Sequence, residues 1–113
     1  MSLEEQMQTA KELCEADKYH EALKLINTVL EQSPDNGEHW YWKAVIHFDL
    51  KQFHEALAAI DRAIELQPDM FSGWKLKLLV LASLGDETEL AKCKKEAIER
   101  FGEERVKKSL DNL

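Results

Sequence analysis

Two cysteines, Cys14 and Cys93, and four histidines, His20, His39, His47 and His54, are the side chains of this 113-residue chain best suited to nucleophilic or metal chemistry. A cysteine nucleophile needs a histidine to take its proton and a third group to hold that histidine. Cys14 and His47 both fall where helices face an interior, but no third group is readable for orienting them. A helical metal pair needs histidines at i and i+4, whereas His39 and His47 stand eight residues apart. His47 lies on an apolar face and reads as a packed, hydrogen-bonded histidine. Neither cysteine sits in a Cys-x-x-Cys, so both read as free thiols in a reducing compartment. The sequence contains no phosphate loop, dinucleotide fingerprint or acid–base pair in a glycine-rich setting. No enzyme, metal or cofactor is expected.

His20 and His54 point elsewhere. They occupy the same place in "YHEAL" (19–23) and "FHEAL" (53–57), thirty-four residues apart, and Ser33-Pro34-Asp35 is answered by Gln67-Pro68-Asp69 at the same offset. A period of this length is the mark of a repeat architecture. Aligning the prolines gives blocks 3–36, 37–70 and 71–104, with a remainder from 105. Within the middle block one apolar stripe runs Trp40, Ala44, His47, Phe48 and a second runs Phe53, Ala56, Leu57, Ile60, Ala63, Ile64, in steps of mostly three and four. Short connections at Asp17-Lys18, Lys51-Gln52 and Gly85-Asp86 separate the stripes, so each block reads as a helical hairpin.

Helix-end chemistry agrees with this division. Ser2 with Glu5 reads as a capping box, Asp86 with Glu89 starts the sixth helix, and Asn36 caps the third. Pro34 and Pro68 follow the second and fourth helices, where a residue that cannot continue a helix belongs. Gly102 ends the sixth helix, leaving a capping helix near 103–112 with Val106, Leu110 and Leu113 on one face.

Composition sets further limits. With 44% apolar and 33% charged residues but only four Gly and two Pro, a single soluble, all-α domain is expected. The formal charge of −7 argues against a nucleic-acid partner. Residues 1–70 carry 14 acids against 6 bases and the remainder 8 against 9. Lys92, Lys94, Lys95, Lys107 and Lys108, interleaved with acids, read as a solvated helix face. No apolar run approaches a membrane span, and the first eight residues lack the basic start and apolar stretch of a signal peptide. A cytoplasmic location is expected.

The blocks resemble the tetratricopeptide repeat family. The middle one, "GEHWYWKAVIHFDLKQFHEALAAIDRAIELQPDM", places Trp40, Ala44, Ala56, Ala63 and Pro68 at that family's fourth, eighth, twentieth, twenty-seventh and thirty-second positions. The first block keeps Ala10, Ala22 and Pro34 but has Gln6 in the Trp place; the third keeps Trp74 and Ala97 but has Leu90 for the small residue and Gly102 for Pro. The resemblance implies a right-handed superhelical stack of three hairpins plus a capping helix, seven helices in all, whose first helices line a concave groove. Carried over by register, it puts Met7, Lys11, Tyr41, Trp42, Val45, Phe48, Lys75 and Leu79 in that groove, as an aromatic floor between two lysines.

The family's clamp for acidic chaperone tails uses Lys, Asn and Arg at places where this chain has Met7, Lys11, Trp42, Ser72 and Leu76. A chaperone-tail adaptor is therefore not expected; three-repeat secretion chaperones with an apolar groove are closer in character. The resemblance implies a protein-interaction module with a peptide or helix of a partner protein in the groove. Two alternatives stand beside it: a homodimer whose groove is filled by a second copy, and an apolar strip that is ordinary core.

Overall fold

The computed structural model describes residues 1–111, so Leu113, expected on the face of the last helix, lies outside the described residues. Those residues form seven α-helices and no strand: α1 (Leu3–Glu15), α2 (Tyr19–Gln32), α3 (Gly37–Asp49), α4 (Phe53–Leu66), α5 (Phe71–Leu84), α6 (Glu87–Phe101) and α7 (Glu103–Asp111). They stack into an all-α solenoid, elongated at 41 × 24 × 20 Å.

The helix starts follow the expected chemistry. Ser2 Oγ accepts from the Glu5 amide at 3.1 Å while the Ser2 amide donates to the Glu5 carboxylate at 3.2 Å, which completes the capping box. Asn36 Oδ1 accepts from the amides of Glu38 and His39, and Asp86 Oδ1 from that of Glu89. These bonds satisfy amides that the first turn of a helix leaves without partners.

The joint inside each hairpin is the same device three times over. Asp17, Lys51 and Gly85 have φ of 59°, 61° and 71°. In each case the next residue's amide reaches back to a carbonyl five positions earlier: Lys18 to Leu13, Gln52 to His47 and Asp86 to Leu81, at 2.8, 2.8 and 3.2 Å. A left-handed residue closing such a bond is a Schellman ending, and glycine suits it because it has no Cβ to clash. Only the third joint uses glycine.

Three apolar layers make the core. Met7, Ala22, Ile26, Val29, Leu30 and Ile46 fill the space among α1, α2 and α3. Ala44, Ala56, Ala59, Ile60, Ala63, Leu76 and Val80 fill that among α3, α4 and α5. Trp74, Leu78, Leu81, Cys93, Ala97 and Val106 join α5, α6 and α7. The fully buried Ala22 and Ala56 let the paired helices approach closely. Each hairpin thus leaves a face that the next helix must cover, and α7 covers the last one. Val106 is fully buried there, and the Arg105 guanidinium lies 4.1 Å from the Phe71 ring centroid and 5.5 Å from that of Phe101.

Candidate partner-binding groove

Of the first helices of the hairpins, α3 and α5 bury side chains in two core layers, so only a narrow strip of each is left open, whereas α1 packs on one layer. On α3, Ile46 enters the first core layer and Ala44 the second; Tyr41, Val45 and Phe48, at i, i+4 and i+7, form a half-buried stripe. Beside it Trp42 packs on the first layer and meets Tyr41 edge to face, with ring centroids 5.8 Å apart at 83°. On the α5 side a cavity of about 250 Å³ is lined by Tyr41, Ser72, Lys75, Leu76 and Leu79. Burial pushes the Tyr41 phenol pKa up, partly offset by the Ser72 hydroxyl.

On the α1 side a wider cleft of about 560 Å³ is bordered by Gln8, Lys11, Asn36, Glu38 and His39, with Met7 at its base. Lys11 Nζ makes an ion pair with Glu38 at 3.4 Å and sits 5.3 Å from the Trp42 ring centroid. The lysine is therefore partly committed to its own protein. Burial pushes the His39 imidazole down, and its Nδ1 is buried without a hydrogen-bond partner among the described residues.

One groove position carried over by register, Met7, and one clamp place, Leu76, are not open surface. Met7 is 5% exposed and Leu76 is 8% exposed; each points into a core layer, because α1 and α5 turn that face toward the neighbouring hairpin. Phe48 is half-buried against Phe53, ring centroids 5.5 Å apart, so it braces the hairpin as well as flooring the groove. Lys75 is exposed. Trp40, on the first apolar stripe of the middle block, is half-buried, whereas Trp74 is 5% exposed.

The chemistry-bearing residues behave as packing and surface groups. His47 is buried with Nδ1 2.7 Å from Gln52 Oε1, and His20 and His54 are exposed. Both cysteines are free thiols. Among the described residues no cluster of metal-binding side chains occurs, and no helix is long and apolar enough to cross a membrane. Lys92, Lys94, Lys95, Lys107 and Lys108 are all exposed.

Stacked helical hairpins that expose a strip of their first helices along one face, closed by a terminal helix, define a helical-repeat protein. The family profile described as tetratricopeptide repeat matches residues 7–71, and the chain belongs to that family. No curated protein sequence matches significantly. Similar solved structures include the TPR2B domain of yeast Sti1 in complex with pHsp70 (TM-score 0.81, 19% identity, covering 87% of this chain and 78% of that one). The Sgt2 TPR domain from Aspergillus fumigatus aligns with TM-score 0.84 at 17% identity, covering 97% and 75% of the two chains. A chain of the CopN–Scc3 complex aligns with TM-score 0.88 at 15% identity, covering 96% and 67%. At these identities the likeness establishes the fold.

Proposed function

We propose that the protein is a non-enzymatic interaction module that holds a peptide or helix of a partner protein in its concave groove. The observation that carries this reading is the half-open strip of Tyr41, Trp42, Val45, Phe48 and Leu79 beside the cavity between α3 and α5. A partly exposed aromatic strip with polar margins is the usual character of an interaction site. Lys11 and Lys75 border the strip, and Met7 contributes to its base from beneath. The similar structures of Sti1 domains are complexes with pHsp70 and pHSP90, but this chain has Trp42 and the buried Met7 and Leu76 where the family's clamp for acidic chaperone tails needs polar donors. Its partner is of a different kind.

Selection from a displayed peptide library tests the reading. Peptides recovered on the wild-type protein should lose about tenfold or more in affinity on Tyr41→Ala, with the helical signal unchanged. Peptides that bind Tyr41→Ala as well as wild type would place the site elsewhere. Light scattering across a concentration series reads the competing case, in which a tight dimer occupies the groove.

A further inference from the structure

The middle repeat departs from both of its neighbours at three places that meet in the fold. In the thirty-four-residue register His47 stands where they have Leu13 and Leu81, Ala58 where they have Lys24 and Lys92, and Ala59 where they have Leu25 and Cys93. A cavity of about 240 Å³ between α3 and α4 is lined by Trp40, Lys43 and His47 from one helix and Glu55, Ala58 and Ala59 from the other. Its α3 wall, at i, i+3 and i+7, is a different face of that helix from the strip of Tyr41, Val45 and Phe48. The two alanines leave the space open, and the histidine gives it a polar end.

That histidine is held in place. It is 8% exposed, and its Nδ1 lies 2.7 Å from Gln52 Oε1, so Nδ1 donates and Nε2 is left to accept. Gln52 stands at the N-cap of α4 yet makes no side-chain bond to the amides of that helix; its oxygen holds the imidazole instead. Nε2 has no hydrogen-bond partner among the described residues, and it is not among the polar atoms sealed from solvent. A leucine here would bury no polar group, so the histidine carries a cost that a donor from outside would relieve.

We propose that this cavity is a second contact site, one that takes the tyrosine side chain of a partner protein, with the ring on Trp40, Ala58 and Ala59 and the phenol hydroxyl donating to His47 Nε2. The volume suits one side chain, since sites for whole small-molecule ligands run to roughly 300–1,000 Å³. The walls favour a flat apolar body, and Nε2 requires a donor at its end, so phenylalanine would leave the acceptor covered and unpaired. Lys43 Nζ lies 5.4 Å from the Trp40 ring centroid, which disfavours a second cation there. The site stands apart from the groove and does not depend on it.

The probes are p-cresol and toluene, which are the tyrosine and phenylalanine side chains without a backbone, titrated against the full chain with amide and imidazole NMR signals as the readout. p-Cresol should shift the Ala58 and Ala59 amides and the His47 imidazole, and should bind at least about tenfold tighter than toluene. His47→Leu, the residue both neighbours carry, should abolish that difference. Ala58→Lys, at an exposed position that is lysine in both neighbours, should block both probes with the fold intact. A displayed peptide library with one fixed tyrosine, screened on Tyr41→Ala to silence the groove, reads the source of the phenol. Its binders should be lost on Ala58→Lys and weakened about tenfold when phenylalanine replaces the fixed tyrosine. A cavity that takes p-cresol but yields no such peptide would overturn the partner assignment in favour of a free phenol. Equal binding of the two probes, a preference that survives His47→Leu, or no response in these signals would overturn the site.

Discussion

The indole Nε1 of Trp40 donates to the carbonyl oxygen of Pro34 at 2.7 Å, and thirty-four residues later Trp74 repeats the bond to Pro68 at 2.9 Å. Each tryptophan ties the start of one hairpin to the end of the one before. The two differ in burial, Trp40 half-open and Trp74 5% exposed, so truncation should separate them. Trp74→Ala is expected to cost about 3–5 kcal/mol and Trp40→Ala about 2–3. Denaturant melts of the two variants would give the order, and a larger loss at Trp40 would contradict it.

Lys51 holds a left-handed conformation that Gly85 holds at the equivalent joint. A side chain there strains the backbone by roughly 1–2 kcal/mol, against which glycine's looser unfolded chain must be set. Lys51→Gly should stabilise the protein by about 0.5–1 kcal/mol, and Gly85→Ala should destabilise it by a similar amount. Asp17→Gly should gain less, because the Tyr19 hydroxyl donates to Asp17 Oδ1 at 2.8 Å and that bond would be lost. Thermal melts of the three variants decide the matter.

Gly37 opens α3 against the end of α4. A Cβ there would meet Gln67 Oε1 at 2.6 Å and the Ala63 carbonyl oxygen at 3.0 Å. Moving Gln67 aside would break the bond in which it accepts from the Glu38 amide at 2.8 Å. Replacing a helical glycine by alanine normally gains up to about 1 kcal/mol. Here the fixed backbone at Ala63 reverses the sign, and Gly37→Ala should lower stability by about 1 kcal/mol.

The seal formed by α7 can be weakened in two steps. Val106→Ala removes two fully buried methyl groups and should cost about 2 kcal/mol, while Arg105→Gln removes the stacking on Phe71 and Phe101 and should cost about 0.5–1. Truncation after Gly102 exposes Ala97 and the neighbouring Leu90 and Ile98 and should lower the melt further. An unchanged melt on truncation would mean that α7 does not dock in solution.

Burial pushes the Cys93 thiol up to about 11 from an ordinary 9.0. The folded state therefore holds this proton longer than the unfolded chain does. Its contribution to stability is complete below pH 9.0 and falls away as pH rises toward 11. In Cys93→Ala the decline of stability between those values should be shallower than in wild type. Parallel profiles would show that the thiol does not ionise with unfolding.

The period, the caps and the short joints were legible because each uses residues that announce themselves: Pro34 and Pro68, Ser2 with Glu5, Asn36, Asp86. Less was legible on α3 and α5. A single stripe with a helical period describes a helix buried on one side, but α3 sends Ala44 and Ile46 into different layers, and Ile46 fell outside the stripe for that reason. The same two-sidedness sinks Leu76 to the floor of its cavity, and Met7, on the one-layered α1, is buried at the base of its cleft, since one register position faces open surface on one hairpin and a neighbour on another. The left-handed backbone at Lys51 had no signature of its own. Only its alignment with Gly85 hinted at it.

Because α3 and α5 each serve as a wall for two core layers, neither can melt without stripping a neighbour on both sides. The helices at the ends lean on one layer only. Amide exchange should accordingly be slowest along α3, α4 and α5 and quicken outward, so that the segment carrying the aromatic strip sits in the part of the molecule that opens last. A partner would then meet a rigid surface, and its affinity would owe little to ordering the receptor.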